Sequence, residues 1–359
     1  MPEGSRLTLS VVKADVGGFV GHISSHPDVL DTAKERLFNA KEKGQIADFH
    51  VLRCGDDLEL ILTHAEGAGS AAINRLVYNT FEACYEAAKE LKLYGGDGFG
   101  SDMAKGPCAA ELEFDERDSE PIAIFMANKT TTGAWNLPLY KIYADPFNTS
   151  GLITDPRMFE GFSFKILDLA EGKDITLSAP CESYALLALA GISSRYLITS
   201  VKRNKDAETA AAIACRRINQ LGASIQGKES PVIILRCQAG FPAVGEALEA
   251  FTVPHLVEGW MRESHIGPLM PVPFYEAHPT RFDGPPRVIG AGFQISNGRL
   301  IGPHDLFDDP SFDETRRLAN RITEYMRRHG PFQPHRLPQT EKGKTALPAI
   351  LERLKERFA

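Results

Sequence analysis

The first hundred residues alternate between two hydrophobic periods. Leu7-Thr-Leu-Ser-Val-Val12 alternates apolar and polar positions and is β-branched, which predicts a strand running on into Lys13-Ala-Asp15. The glycines of Val16-Gly-Gly-Phe-Val-Gly-His22 let the backbone turn sharply or approach a ligand. Pro27 opens a helix, Leu30, Ala33, Leu37 and Ala40 form its buried stripe, and Gly44 closes it. Apolar segments at 46–54 and 58–64 flank Gly55-Asp56-Asp57, and the second alternates as a half-buried strand does. A second helix carries Ile73, Leu76, Val77, Phe81, Cys84, Ala88 and Leu91 at helical spacing. The order is strand, helix, strand, strand, helix. It brings Asp15 beside a hairpin that bears Asp56 and Asp57, so three carboxylates can meet at one sheet edge.

Beyond this point the pattern thins. Residues 95–107 are glycine-rich and without apolar period, a loop able to close over a site. Strands are expected at 110–114 and 121–127, the second nearly all apolar and leading into Asn128-Lys129-Thr130. More are expected at 162–168 and 195–201, with a short helix at 184–190. Residues 206–221 fit helix or strand, with helix preferred. Gly222-Ala-Ser-Ile-Gln-Gly227-Lys228-Glu229 matches a phosphate-binding loop through the lysine, then fails. Glu229 stands where a Ser or Thr must hold magnesium, and a strand follows at 232–235 where a helix should start. The stretches around Arg262, Ser264 and Asp283 are long and unperiodic, and Arg and Ser among glycines suit a phosphate cradle. Asn297-Gly298 marks a tight hairpin. Asp309-Pro310 starts a helix with Leu318, Ile322 and Met326 on one face, stopped by Gly330-Pro331, and a last amphipathic helix covers 347–358. With no linker or repeat, residues 1–359 read as one domain.

Adjacent carboxylates repel, and a pair held out of water needs a cation beside it; magnesium, hard and oxygen-seeking, suits that role. An Asp-Asp turn alone is more often solvated. Asp15 and His22 nearby tip the reading to a metal centre able to clamp a phosphoryl group. The net charge of −7 argues against a non-specific nucleic-acid binder. No apolar run reaches membrane-spanning length and the N-terminus lacks the core of a signal peptide, so a cytoplasmic protein is expected. Six scattered cysteines without a C-x-x-C pair fit a reducing compartment.

Taken together, these segments resemble the bifunctional fructose-1,6-bisphosphate aldolase/phosphatase family of archaea and deep-branching bacteria. The resemblance covers nearly the whole chain. It shows in Lys13-Ala-Asp15, Gly21-His22, Gly55-Asp56-Asp57-Leu58, Glu120-Pro-Ile-Ala-Ile-Phe-Met126 and Asn136-Leu-Pro-Leu-Tyr-Lys141. It continues in Ala144-Asp-Pro-Phe-Asn-Thr149, Gly245-Glu-Ala-Leu-Glu-Ala-Phe251, Gly267-Pro-Leu-Met-Pro-Val272, Arg281-Phe-Asp-Gly-Pro-Pro-Arg287 and Asp305-Leu-Phe-Asp-Asp-Pro310. It implies an α/β (α+β) fold, a multilayer α-β-β-α sandwich, assembled as a homo-octamer. It also implies one site that joins triose phosphates through a lysine Schiff base and then removes the 1-phosphate with magnesium. Asp15, His22, Asp56 and Asp57 match the family's metal ligands, and Glu229 keeps a carboxylate next to Lys228, the match for the Schiff-base lysine. Lys129 matches a lysine at the substrate phosphate, and Arg262, Ser264 and Asp283 fall where the sugar phosphate is held.

Departures from the family pattern fall on chemistry. Asn128 stands for a metal-binding aspartate, and Glu229-Ser230 for an Asp-Asp pair. Ile225 replaces a proton-transferring tyrosine, Lys344 a second site tyrosine, and Ala239 a histidine. The loop near Gly96 is a residue short and lacks a glutamine ligand. Isoleucine transfers no proton, and a positioned acid or base is worth about 10²–10⁴ in rate. The expected activity is therefore magnesium-dependent phosphate release from fructose 1,6-bisphosphate, with the aldol step weakened. Three rivals remain: a paralogue using Lys228 on another phosphorylated carbonyl compound, a non-catalytic sugar-phosphate sensor, and a palm-type nucleotidyl transferase.

Overall fold

The structure, a computed structural model, describes residues 6–94, 108–128, 130–213, 216–217, 232–259, 265–281 and 284–328. The expected final helix at 347–358 and the 95–107 loop lie outside these residues. In chain order the first half contains β1 (Arg6–Asp15), α1 (Pro27–Glu42), β2 (Asp48–Cys54), β3 (Asp57–His64), α2 (Ala71–Glu90), β4 (Cys108–Asp115), β5 (Glu120–Asn128), α3 (Asn136–Ala144), α4 (Gly151–Thr154), β6 (Phe162–Asp168) and β7 (Lys173–Ala179). The second half contains α5 (Ser183–Ala190), β8 (Tyr196–Arg203), β9 (Thr209–Ile213), β10 (Arg216–Arg217), β11 (Val232–Arg236), α6 (Val244–Glu249), β12 (Leu256–Gly259), β13 (His265–Pro268), β14 (Met270–Pro271), β15 (Arg287–Ser296), β16 (Arg299–Asp305) and α7 (Asp313–Arg328).

Two sheets stack. The smaller has the order β10-β4-β1-β3-β2, and the larger runs β14-β15-β5-β11-β9-β8-β6-β7 with β16 on β15. The outer face of the small sheet, with Val12, Leu58, Leu60 and Leu62, packs on Val29, Leu37, Val77 and Phe81 of α1 and α2. Its inner face, with Leu7, Leu9, Val11 and Ile61, meets Ile122, Ile124, Met126, Ile234 and Ile289 of the large sheet. On the far side of the large sheet, Phe125, Ala127 and Leu235 join Leu139, Leu186 and Ala247 from α3, α5 and α6. These layers are the expected α-β-β-α sandwich. No described helix is long and apolar enough to cross a membrane.

Four expectations change. All eight residues of β3 are buried, although it alternates like a half-buried strand. The helices cover one face and the second sheet the other, so Glu59 and Thr63 are as buried as the leucines between them. Residues 209–213 are a strand rather than part of a helix, hydrogen-bonded to β8 on one side and β11 on the other. The alanines there favour a helix in isolation, but pairing on both sides buries Ala210, Ala211 and Ala212 in the sheet, and tertiary context overrides propensity. The three aspartates lie at strand ends inside the small sheet and not along its edge, because β1 and β3 are neighbours in its middle. In α7 the fully buried line is Thr315, Ala319 and Thr323, with Leu318, Ile322 and Met326 only half-buried. The threonines can be buried because their hydroxyls donate to the Thr252 carbonyl at 2.5 Å and the Ala319 carbonyl at 2.9 Å.

Candidate metal centre

The site lies where the two sheets open at the end of β1. Strand alternation points Lys13 and Asp15 to the same inner face as Leu9 and Val11, and likewise Asp57 and Glu59 with Ile61. The antiparallel register sets Asp15 opposite Asp57 and Lys13 opposite Glu59. Cys54 pairs with Asp57, so Gly55 and Asp56 form a two-residue turn. Gly55 takes φ +66°, and an added Cβ would lie 2.3 Å from Asn128 Nδ2, so both backbone and space require glycine here. The turn is clamped: Gly55 N–H donates to the Ala277 carbonyl at 2.7 Å, and Ser25 Oγ donates to the Asp56 carbonyl at 3.0 Å. Facing it, Asn128 closes β5 on the side that carries Ile122, Ile124 and Met126.

The side chains converge tightly. One ligand atom each from Asp15, His22 and Asp56 can be chosen so that all lie within 4.8 Å of one another. His22 Nδ1 is 2.8 Å from Asp56 Oδ2 and 4.0 Å from Asp15 Oδ2. His22 itself sits at φ +42° in the glycine turn, with Tyr94 packed edge-on at 4.7 Å. Asp57 Oδ2 accepts from Lys13 Nζ at 2.5 Å and from Asn128 Nδ2 at 3.3 Å. The same amide nitrogen reaches Asp56 Oδ1 at 3.3 Å and the Cys54 carbonyl at 3.0 Å. Asp56 and Asp57 are 6% and 8% exposed, which rules out the solvated turn.

Burial and mutual repulsion dominate the electrostatics. Desolvation, then the charges of Asp56 and Asp57, push the Asp15 carboxyl up to about 7. Burial raises Asp57 against the pull of Lys13, and it drives the Glu59 carboxyl well above its usual range. For Lys13, burial lowers the ammonium's pKa, but Asp57 and Glu59 outweigh it and hold it raised. A cluster that keeps protons so firmly near neutrality is one where a divalent cation can replace them. The donor set fits such an ion: two carboxylates and an imidazole, with Asn128 turning its amide Nδ2 to Asp56 and Asp57.

Of the residues singled out from the sequence, Asp15, His22, Asp56 and Asp57 are brought together. Lys129, Lys228, Glu229, Arg262, Ser264 and Asp283 lie outside the described residues, as do Ile225, Ser230 and Lys344. Ala239 is described, at φ +49° in a turn beyond the end of β11 that pairs with Ile122, the opposite end of the sheet from Asn128. Sequence reading passed over Lys13, Glu59, Ser25 and Tyr94 as site neighbours. For Lys13 and Glu59 the signal was there: each is two residues from an aspartate on the same strand, hence on the same face. Ser25 and Tyr94 carry no such mark.

The sequence model of the family described as fructose-1,6-bisphosphatase matches residues 6–359. Fructose-1,6-bisphosphate aldolase/phosphatase from Ignicoccus hospitalis is 54% identical over 360 residues, spanning 98% of this chain and 93% of that protein. The proteins of the same name from Sulfurisphaera tokodaii and Moorella thermoacetica are 54% and 51% identical, spanning 98% and 99% of this chain and 94% and 95% of theirs.

Proposed function

This chain belongs to the fructose-1,6-bisphosphatase family, and on that footing we propose that it releases the 1-phosphate of fructose 1,6-bisphosphate in a magnesium-dependent reaction. The observation that carries the reading is the convergence of Asp15, His22 and Asp56 within 4.8 Å, with Asp57 opposite Asp15. A divalent ion held there supplies Lewis acidity toward a phosphoryl oxygen and lowers the pKa of water. Magnesium is the assignment because carboxylate oxygens outnumber the single imidazole.

The chain's own residues do the rest. His22 holds Asp56 through Nδ1, and Ser25 fixes the turn from behind, so the carboxylates are oriented before substrate arrives. Lys13 and Asn128 hold Asp57. By resemblance, Lys129 takes a substrate phosphate, Arg262, Ser264 and Asp283 hold the sugar phosphate, Glu229 adds a metal carboxylate, and Lys228 is the amine for a Schiff base. The relatives are named as aldolases as well as phosphatases. In this chain Ile225 and Lys344 stand where two tyrosines are expected, so the aldol step is the weaker activity. A homo-oligomeric cytoplasmic enzyme, acting on a small sugar phosphate and not on nucleic acid or membrane, completes the reading.

The test is phosphate release from fructose 1,6-bisphosphate with magnesium and with chelator, alongside borohydride trapping of dihydroxyacetone phosphate. Release that needs magnesium, labelling at Lys228 and very low aldolase turnover are expected. Release unaffected by chelator removes the metal reading. Robust aldolase turnover means that another group supplies the proton. Ile225 and Lys344 favour one second reading, a different phosphorylated carbonyl substrate, and faster release from another member of a sugar-phosphate panel would select it.

A further inference from the structure

We infer that Lys13 is a positioning residue of the metal centre, the protein's own cation at Asp57, and that it limits how strongly the neighbouring carboxylates take up divalent ions. The inference rests on the metal reading of the site.

Lys13 is 5% exposed and lies on the strand face that carries Leu7, Leu9 and Val11 before it and Asp15 after it. A lysine this deep persists only with a carboxylate in contact. Its cross-strand neighbour is Glu59, 0% exposed, whose two carboxylate oxygens have no hydrogen-bond partner in the structure. The ammonium instead reaches along the strand to Asp57 Oδ2 at 2.5 Å. Asn128 Nδ2 is on the same oxygen at 3.3 Å. One oxygen of Asp57 is thus held twice over, and Oδ1 is the one left to meet a cation. Among the described residues, Lys13 is the lysine ion-paired with Asp57. Its fixed positive charge repels a divalent ion at the adjacent Asp15–His22–Asp56 cluster, which is buried on the Asp56 side and open to water on the His22 side. Lys13 therefore trades affinity for geometry. It keeps Asp57 in one orientation and keeps the ion loosely enough bound to share its coordination with a phosphate.

Mn²⁺ titration by calorimetry on the full chain, with kcat and KM for phosphate release, tests this. Removing the charge in Lys13→Met should tighten Mn²⁺ binding by about tenfold, because the repulsion between a buried ammonium and a divalent ion at the neighbouring cluster is lost. At the same time kcat should fall by about tenfold with KM little changed, the pattern of a lost transition-state interaction. A lysine serving only the fold would not tighten the metal. Lys13→Met/Asp57→Asn removes both charges together and keeps an oxygen at the Oδ1 position, so its Mn²⁺ affinity should return to near wild type. Lys13→Arg, which keeps the charge, should also stay near wild type. Unchanged or weaker Mn²⁺ binding in Lys13→Met overturns the inference, as does a double variant as tight as Lys13→Met. If Lys13→Met does not fold, the double variant and Lys13→Arg decide, and a large change in the affinity of either overturns it. Wild-type protein that binds no Mn²⁺ fails the metal reading itself, a result distinct from a Lys13 variant that leaves binding unaltered.

Discussion

Asp56 and Asp57 are adjacent in sequence, equally buried, and held by different partners. Asp56 faces His22, and its backbone carbonyl is tied to Ser25. Asp57 faces the buried ammonium of Lys13. Their amide variants should therefore behave differently. Asp56→Asn removes a carboxylate from the Asp15–His22–Asp56 cluster and leaves the Lys13–Asp57 pair in place. It should fold normally and lose magnesium-dependent phosphate release by about 100-fold or more, since metal stabilisation of developing charge is worth several kcal/mol. Asp57→Asn leaves Lys13 buried without its carboxylate. Breaking such a pair on one side costs about 3–5 kcal/mol, so this variant should lose stability as well as activity. Denaturant unfolding beside steady-state kinetics checks both, and equal stability of the two variants would mean that Lys13 and Asp57 are not a true pair.

At the scale of one element, β3 carries the site at its first residue and a buried histidine at its last. His64 is 1% exposed, 2.8 Å from Ser10 Oγ through Nε2, with Nδ1 buried and unpartnered. Burial lowers its pKa from 6.5 to about 4. The unfolded chain binds this proton first as pH falls, so the folded state is favoured above pH 6.5 and loses that advantage down to about pH 4. The full loss is on the order of 3 kcal/mol, from a shift worth roughly 1.4 kcal/mol per unit. Stability measured across this window should fall with acid in the wild type and less steeply in His64→Gln. Parallel slopes would place the acid sensitivity outside this strand, because the raised carboxyls of Asp57 and Glu59 at its other end favour the folded state as pH falls.

Across the whole molecule, the large sheet has chemistry at one end and a charge network at the other. β5 ends at Asn128 in the metal centre and begins at Glu120, which is fully buried. Arg236, 2% exposed, meets Glu120 at 2.8 Å, and Arg117 meets it at 2.5 Å. Burial would raise the Glu120 carboxyl, but the two guanidiniums outweigh it and hold it below its usual range. Arg117, Arg203 and Arg236 all stack on the ring of Phe241, at 5.0, 4.4 and 4.9 Å. Arg236→Met should destabilise by about 1.5–3 kcal/mol, because Glu120 keeps Arg117 but loses its charged hydrogen bonds from Arg236. It should leave kcat of the remaining folded protein unchanged, because the network is a strand's length from the aspartates. A drop in kcat at full folding would show that the two ends are coupled.

What the sequence alone determined was local. Period-two and period-3.6 patterns placed β1, α1, β2, β3 and α2, and Asn297-Gly298 gave the hairpin between β15 and β16, both residues taking positive φ. Gly55-Asp56-Asp57 was legible as a turn with carboxylates because glycine and adjacent aspartates are rare inside apolar runs. The tertiary structure decided what depends on contacts distant in sequence. It buried both faces of β3, drew 209–213 into a sheet, and closed Lys13, Asp57 and Asn128 into one network across up to 115 residues of chain. The physical reason is that hydrophobic period records which face of an element is apolar, not what will cover the other face. A second layer can turn a polar face into a buried one, and here that second face holds the site.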